Sequence, residues 1–315
     1  MVGLDQVLAA RDRIAGQVVQ TPVALSDRLS AHAGGPVWLK LEHRQTTGAF
    51  KLRGAANAVA LLGDVAGVTT ASTGNHGRAL AHAARARGLR AVICLSRLVP
   101  QNKIDAITAL GAEARIIGDS QDDAFLEAQR LERDEGFALI PPFDHADVIA
   151  GQGTLALEIL DQIPQAAGIA VPLSGGGLLA GAAVAAKALR PDIRIIGLCM
   201  ERGAAMAASL AAGQPVEVTE LATLADSLGG GIGLSNRLTY PMVRDLMDDL
   251  ILLTEDQIAT GLRHLAHDGH VVEGAAAVGA AAVLAGRLAG PFPLVLILSG
   301  SNIDPAAHAA ILRAA

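Results

Sequence analysis

Short, continuously apolar runs alternate with alanine-rich stretches of helical periodicity along most of the 315-residue chain. Runs such as Ile169–Leu173 and Leu294–Leu298 lack polar alternation, which is typical of parallel strands covered on both faces. Strands that alternate with helices in this way imply right-handed crossover connections. The pattern therefore predicts an α/β protein with doubly wound parallel sheets.

The strands and helices expected from this pattern recur along the whole chain. Strands are predicted at Val37–Leu41, Val68–Ala71, Ala91–Leu95, Ala114–Ile117, Ile169–Leu173, Ile193–Leu198 and Leu294–Leu298. Helices are predicted at Gly77–Arg87, Asn102–Leu110, Asp122–Glu135, Leu178–Leu189 and Glu255–His267. Because no Ser- or Pro-rich linker separates these elements, we expect two interleaved lobes between which the chain crosses more than once.

Composition narrows the class of protein. Hydrophobic residues make up 51% and charged residues 18% of the chain, which excludes intrinsic disorder. Mean hydropathy is +0.39, yet no run reaches the ~20 apolar residues that a membrane-spanning helix needs. Residues Met1–Ala15 lack the apolar core of a signal peptide, so we expect a cytoplasmic protein with no membrane partner.

Charge and aromatic content argue against a nucleic-acid partner. The net charge is −6, no long run of Lys or Arg occurs, and aromatic residues make up 2%, too few for a base-stacking surface. Cys94 and Cys199 lie in separate apolar runs, which favours buried thiols over a disulfide or a metal site. A small molecule is therefore the expected partner.

A glycine-rich segment, Ser174–Gly181, joins a predicted strand to a predicted helix. Consecutive glycines at a helix N-terminus let backbone N–H groups approach a phosphate. A tight, closely packed turn would use the same residues. Gly175, Gly177 and Ala180 also satisfy the dinucleotide fingerprint, and Glu201 ends the next predicted strand, where a ribose-binding acid would lie. The segment alone does not distinguish these interpretations.

Two further polar segments follow predicted strands, where open α/β sheets place their ligands. Ala71–Gly77 offers hydroxyls, an amide and backbone N–H groups for a carboxylate or a ring oxygen, although Ser72 or Thr73 could equally cap a helix. Ser299–Asn302 follows the last predicted strand, and its hydroxyl has the same two interpretations.

A lysine with apolar neighbours stands in the segment Thr46–Gly54. Lys51 lies between Phe50 and Leu52 at a predicted helix start. Such surroundings lower the pKa of a lysine and make its amine nucleophilic, although most isolated lysines are solvated surface residues.

Together these segments resemble fold-type II pyridoxal-phosphate (PLP) enzymes of the serine/threonine dehydratase branch. The resemblance runs in order through KLEHRQTTGAFKLRGA, ASTGNHGRALA, SGGGLLAG, ADSLGGGIG, VVEGAAAVGAAA and ILSGSNID. Within that branch, CLSRLVPQNK, MERGAAM and LADSLGGGIGL are most similar to hydroxyectoine-utilisation dehydratases. The resemblance implies an active site between two lobes, a large PLP-binding domain of residues 1–60 and 144–315 and a small mobile domain of residues 61–143.

The same resemblance assigns roles to residues around the cofactor. Lys51 is expected to bind PLP covalently and to act as the catalytic base. Phe50 is expected against the pyridine ring, Ser299 at the pyridine nitrogen, and Asn75 at the ring hydroxyl. The backbone expected to hold the cofactor phosphate is that of Gly175, Gly176, Gly177 and Leu178.

One loop is expected to receive the substrate carboxylate. Its residues are Ser72, Thr73, Gly74, Asn75 and His76. Thr73 is also the candidate catalytic acid or base on the second face of the substrate. The pocket for the substrate side chain is expected near Gly229–Ser235 and Glu273.

A serine at the pyridine nitrogen makes the ring a weaker electron sink than an aspartate would, so β-elimination is expected rather than transamination. The expected activity is removal of the β-hydroxyl of a β-hydroxy α-amino acid, giving a 2-oxo acid and ammonia. Candidate substrates are a hydroxyectoine-derived amino acid, serine, threonine and hydroxyaspartate. The alternatives are a racemase of the same family, an NAD-dependent dehydrogenase and a non-catalytic amino-acid-binding protein. A homodimer is expected.

Some residues depart from the pattern of the family. Ala49 stands where relatives often carry a serine, and the methyl group of Thr73 crowds the second face, so racemisation is not expected. Relatives that bind a divalent cation use a carboxylate, a backbone carbonyl and a second acid in the region of Glu201, Ala205 and Ala207. The alanine at the last of these positions predicts that any metal is weakly bound or absent. No regulatory domain follows Ala315, so feedback control is not expected.

Overall fold

The computed structural model describes residues 1–72, 74–99 and 101–314, so the predicted site residue Thr73 lies outside the described residues. The strands are β1 (Val23–Leu25), β2 (Val37–Lys40), β3 (Gly67–Ala71), β4 (Ala91–Leu95), β5 (Glu113–Ile116), β6 (Phe137–Leu139), β7 (Gly168–Pro172), β8 (Arg194–Met200), β9 (Asp249–Leu253) and β10 (Leu294–Ile297).

Helices follow most of the strands. They are α1 (Leu4–Arg13), α2 (Asp27–Ala33), α3 (Lys51–Ala60), α4 (Asn75–Ala86), α5 (Gln101–Thr108), α6 (Gln121–Glu135), α7 (Ala146–Gln162), α8 (Gly177–Leu189), α9 (Ala205–Ala212), α10 (Thr239–Leu246), α11 (Glu255–His267), α12 (Gly274–Leu284) and α13 (Pro305–Arg313). Every predicted strand and helix is present, with ends displaced by at most two residues. Within the described residues, no helix is both long and apolar enough to cross a membrane.

The strands of the described part of the chain form two sheets, one in each lobe. The larger sheet has the order β1-β2-β10-β7-β8-β9 and the smaller one β5-β4-β3-β6. All neighbouring strands pair in parallel except β1 and β2. The smaller sheet consists of the consecutive strands β3 to β6. The larger sheet contains the strands that precede and follow them in the sequence. The predicted α/β class with two parallel-sheet lobes is therefore confirmed, while the domain boundaries remain a prediction.

Small residues let the helices of the large lobe pack closely against each other. A Cβ at Gly181 in α8 would lie 2.3 Å from the carbonyl oxygen of Ile149 in α7, so only glycine permits this approach. Helix α12 is apolar on all sides and almost entirely buried, as expected for a helix in the middle of a core. Both α8 and α12 begin just beyond segments singled out in the sequence, and this packing fixes where those segments lie.

Candidate active site

Lys51 is the first residue of α3, and its amine is held inside the protein. The Nζ atom donates a hydrogen bond of 2.7 Å to the carbonyl oxygen of Pro142 and lies 5.4 Å from the centroid of the Phe50 ring. Burial lowers the pKa of Lys51 to about 8, although the charge of Glu273 opposes the shift. The positive N-terminus of α3 also disfavours an ammonium group. Lys51 therefore has the lowered pKa that its sequence context predicted, and its covalent role remains a prediction.

A buried ionic network fixes the helix that carries Lys51. Arg53 is fully buried and makes bidentate contacts with Glu42, with two N–O distances of 2.8 Å, and with Glu158 at 2.6 and 2.8 Å. Lys40 adds a 2.6 Å contact to Glu158. Because the guanidinium is held on both sides by carboxylates, the first turn of α3 has one position relative to the large lobe.

The segment before Lys51 pairs with the segment that contains Ser299. Ala49 and Gly300 form an antiparallel bridge, in which the Phe50 N–H donates to the carbonyl oxygen of Ser299 at 3.0 Å. Ser299 is 3% exposed, and its hydroxyl makes no hydrogen bond within the described residues. The fold thus brings the predicted lysine and the predicted serine together from opposite ends of the chain.

The glycine segment packs against Phe143 on one side. A Cβ at Gly175 would lie 2.3 Å from the Phe143 ring, and Gly176 has a left-handed φ of +88°. The N–H groups of Gly175 to Leu178 are buried, and the described residues supply no acceptor for them. The close-packed turn weighed from the sequence is therefore present, together with unpaired donors at the N-terminus of α8.

A neighbouring helix N-terminus is already occupied by a side chain. The Asp144 carboxylate accepts hydrogen bonds from the N–H groups of Arg237, Leu238 and Thr239 at 2.8–2.9 Å, at the start of α10. Thr239 also lies against Gly176, so the N-termini of α10 and α8 are neighbours. Of this pair, α8 is the one whose donors remain free for an external anion.

The loop predicted to receive a carboxylate leads into α4, whose N-cap is Gly74. Ser72 is partly exposed, and its carbonyl oxygen would lie 2.4 Å from a Cβ at Gly77. His76 is buried, and its Nε2 donates to the carbonyl oxygen of Ile140 at 2.9 Å. Burial lowers the pKa of His76 to about 3, so the ring is neutral. The His76 side chain therefore anchors the loop and has no further donor for a carboxylate.

Glu273 belongs to this site, although the sequence placed it only in the side-chain pocket. It is 3% exposed, and its carboxylate accepts from Asn75 Nδ2 at 2.8 Å and from the Asn302 N–H at 3.1 Å. Burial, followed by the charge of Asp226, raises the pKa of Glu273 to about 7. A lone acid within the apolar run VVEGAAAVG was the available signal for it.

One crossover segment ties these parts together as the chain returns from the small lobe. Ile140 accepts from His76, Pro142 accepts from Lys51, and Phe143 lies on the glycine segment. A contact chain therefore runs from the glycine segment through Lys51 to Ser299 and then to Glu273 and Asn75. Glu201, in contrast, is exposed, and the described residues contain no cluster of metal-ligating side chains.

The residues of this site fit PLP. The unpaired N–H groups at the start of α8 suit its phosphate, the buried Lys51 amine suits its aldehyde, and the unbonded Ser299 hydroxyl suits its pyridine nitrogen. When bound, PLP would supply electron withdrawal from a substrate amine. The dehydrogenase alternative gives no role to Lys51 or Ser299.

Comparison with known proteins agrees with this assignment. The chain is 52% identical over 317 residues to the putative threonine dehydratase of Sinorhizobium fredii, covering 99% of this chain and 96% of the relative. It is 37% identical to the catabolic L-threonine dehydratase of Escherichia coli, covering 96% and 94%.

Solved structures of related proteins share the fold. Maize serine racemase superposes with a TM-score of 0.92 at 34% identity, covering 99% of this chain and 97% of that one. Threonine deaminase isoform 2 of Solanum lycopersicum superposes with a TM-score of 0.90 at 32% identity, covering 99% and 92%. Residues 14–300 match the model of the pyridoxal-phosphate dependent enzyme family. The chain belongs to the pyridoxal-phosphate dependent enzyme family, in its fold-type II form with two parallel-sheet lobes, and its relatives are PLP-dependent lyases and racemases.

Proposed function

We propose that this protein is a PLP-dependent ammonia-lyase that removes the β-hydroxyl of a β-hydroxy α-amino acid. The observation that carries the proposal is the Lys51 amine, which has a pKa of about 8 and lies between the free donors of α8 and the Ser299 hydroxyl. The described carboxylates form no ion pair with this amine, so it is available for covalent binding and proton transfer.

Each part of the site has a role in this proposal. The N–H groups of Gly175, Gly176, Gly177 and Leu178 hold the phosphate, Phe50 lies against the ring, and Ser299 bonds its nitrogen. Asn75 bonds the ring hydroxyl. The loop from Ser72 to His76 binds the substrate carboxylate through the N–H groups of Asn75 and His76 at the start of α4, which have no acceptor within the described residues. Thr73, which lies outside the described residues, is the candidate acid or base on the second face of the substrate.

The Lys51 amine performs the proton transfer. PLP, when bound, withdraws electrons from the α-carbon of the substrate and makes the α-proton acidic. Lys51 takes that proton, and Pro142 orients the amine through its carbonyl oxygen. The β-hydroxyl leaves as water, and hydrolysis of the resulting enamine consumes water again. The substrate is thus converted to a 2-oxo acid and ammonia without net loss of water.

Elimination is preferred because the partner at the ring nitrogen is a neutral hydroxyl. Ser299 cannot stabilise a protonated pyridine as a carboxylate would, so negative charge at the α-carbon is relieved by loss of the leaving group. Candidate substrates are serine, threonine, hydroxyaspartate and a hydroxyectoine-derived amino acid. The similarity to a putative threonine dehydratase supports threonine, and the MERGAAM and LADSLGGGIGL segments support the hydroxyectoine-derived compound.

Racemisation is the second candidate, because the maize serine racemase shares the fold over 99% of this chain. The test for both is one panel of substrates. The purified holoenzyme is given each candidate amino acid, and ammonia, 2-oxo acid and the opposite enantiomer are measured. Ammonia in equal amount to 2-oxo acid supports elimination, and enantiomer without ammonia supports racemisation. If no candidate substrate yields either ammonia or the opposite enantiomer, both proposed activities are refuted. We also propose a homodimer, which light scattering of the holoenzyme would test.

A further inference from the structure

Asn75 is held by a relay of hydrogen bonds that spans the two lobes. Arg78, in α4 with Asn75, donates to Asn302 Oδ1. Asn302 Nδ2 donates to the carbonyl oxygen of Thr47 at 3.0 Å and to Asn75 Oδ1 at 2.6 Å. Asn75 Nδ2 in turn donates to Glu273 Oε1 at 2.8 Å.

The relay has only one consistent direction. A guanidinium can only donate and a backbone carbonyl oxygen can only accept, so Arg78 and Thr47 together fix which side of the Asn302 amide is oxygen. Asn302 uses both of its N–H groups, on Thr47 and on Asn75. Asn75 must therefore present its oxygen to Asn302 and its nitrogen to Glu273. This orientation follows from donor chemistry and needs no choice between equivalent amide positions.

Glu273 is suited to its place at the end of the relay. Its two oxygens face two donors, the Asn75 amide and the Asn302 backbone N–H. An ionised carboxylate accepts both, whereas an amide of the same shape accepts only one of them. Glu273 is the N-cap of α12, yet its side chain does not cap that helix, so stabilisation of the helix end does not explain it.

We propose that Asn302 and Glu273 are positioning residues that lock the Asn75 amide in one orientation, leaving one of its N–H groups free for the ring oxygen of PLP. The inference rests on the proposed role of Asn75 at the cofactor. It adds that Asn75 donates this hydrogen bond rather than accepting it, and that Arg78, Thr47, Asn302 and Glu273 together set this direction. A flipped Asn75 would present an oxygen to an oxygen.

The test uses variants in which the relay is broken and then reversed. In Glu273→Gln, one donor of the pair is left facing another donor. In the double variant Glu273→Gln with Asn302→Asp, Asn75 can flip, so that its amide donates to the introduced carboxylate and accepts from the introduced amide. The contacts among the three side chains of residues 75, 273 and 302 are then satisfied in the opposite direction, while the Thr47 carbonyl oxygen loses its donor and faces a carboxylate oxygen instead.

Three quantities are measured for each variant: the free energy of unfolding, the dissociation constant for PLP, and the visible absorbance of the bound cofactor as a function of pH. We expect Glu273→Gln to bind PLP about tenfold more weakly, since one hydrogen bond is lost. The double variant should keep the weak binding and an altered absorbance titration, because its Asn75 amide is flipped. Its free energy of unfolding should stay below that of the wild type, because the Thr47 carbonyl oxygen faces a carboxylate. Wild-type affinity and absorbance in the double variant would overturn the proposal.

Glu255→Gln is the matched control. Its carboxylate also accepts one side-chain and one backbone donor, from Thr223 at 2.7 Å and Leu224 at 2.6 Å, but at the start of α11. It should lose less stability, because the Thr223 hydroxyl can accept from the introduced amide, and it should not change the absorbance titration. If Glu273→Gln and Glu255→Gln change the absorbance titration equally, the proposed positioning role of Glu273 is overturned. Asn75→Leu distinguishes failure of the positioning role from failure of the proposed contact between Asn75 and PLP. If this variant leaves the PLP affinity and the absorbance unchanged, the proposed role of Asn75 itself fails.

Discussion

The amine of Lys51 donates a 2.7 Å hydrogen bond to the carbonyl oxygen of Pro142, which immediately precedes the aromatic ring that packs on the glycine segment. A neutral carbonyl can hold either a charged or a neutral amine, whereas a carboxylate would have stabilised the charged form alone. The partner of Lys51 therefore positions the amine while leaving it free to lose its proton.

Replacement of Lys51 by Met should stabilise the protein without its cofactor. Burial lowers the pKa of Lys51 from 10.5 to about 8, so holding its charge at pH 7 costs free energy that methionine avoids. We expect a gain of about 1–3 kcal/mol at pH 7 in urea unfolding. Lys187→Met, which removes a partly exposed ion pair with Asp248, should give no gain. The same Lys51 variant must fail to retain PLP after borohydride reduction, as judged by mass spectrometry.

The lowered pKa of Lys51 should also affect how the free energy of unfolding depends on pH in the alkaline range. Between about pH 8 and 10.5 the unfolded chain binds more protons at Lys51 than the folded chain does. The free energy of unfolding of the apoprotein should therefore rise with pH across this window, and the Lys51→Met variant should lose that component. A slope that is unchanged in the variant would assign it to other groups.

The raised pKa of Glu273 should make the free energy of unfolding fall with pH, at lower pH than the effect of Lys51. Its pKa is raised from 4.5 to about 7 by burial and by Asp226, with Lys51 and Arg78 as the nearby cations. Between pH 4.5 and 7 the folded chain binds more protons, so its stability contribution falls as pH rises through this window. Urea unfolding at intervals of pH should show a shallower dependence in Glu273→Gln than in the wild type. An identical dependence would place the titration elsewhere.

Gly175→Ala should destabilise the protein by about 1–3 kcal/mol, because its Cβ would overlap the Phe143 ring. The affinity for PLP should fall with it, since the neighbouring N–H groups move. The double variant Gly175→Ala with Phe143→Ala makes room for the new methyl group and should recover part of both losses relative to Gly175→Ala. Gly63→Ala, with no atom within 4 Å of the new Cβ, is the neutral control. No recovery in the double variant would contradict the overlap.

Arg53→Met should cost about 3–5 kcal/mol, because Glu42 would be left buried and Glu158 would lose one of its two cations. Thermal unfolding measures the loss. Arg244→Met removes an exposed pair with Asp245 and should cost less than about 1 kcal/mol. Similar melting temperatures for the two variants would show that the buried network does not fix α3.

The sequence predicted the fold where apolar runs were long enough to be distinctive. Strands β4 and β10 are continuous apolar segments at the centre of their sheets, and both were located to within one residue. Strands β1 and β6 are three residues long and were missed, because their neighbours in the sheet rather than their own sequence hold them in place. Strand β9 was missed because it is an edge strand, begins with a polar residue and is only partly buried.

The site was predictable only in its linear motifs. Lys51, Asn75 and Ser299 lie in segments with recognisable surroundings, and the fold brings these segments together. The contacts of Pro142 and Asn302 could not be predicted, because their hydrogen-bond partners, Lys51 and Asn75, are distant from them in the sequence. Asp144 was missed for the same reason.

The carboxylate of Asp144, bound across the start of α10, occupies one of two neighbouring helix N-termini. Of these two neighbouring helix ends, α8 is the one with unpaired N–H groups, so the pair offers one anion site rather than two. Redesign of this protein for a ligand with two phosphates would therefore have to begin with removal of Asp144, before any change to Lys51.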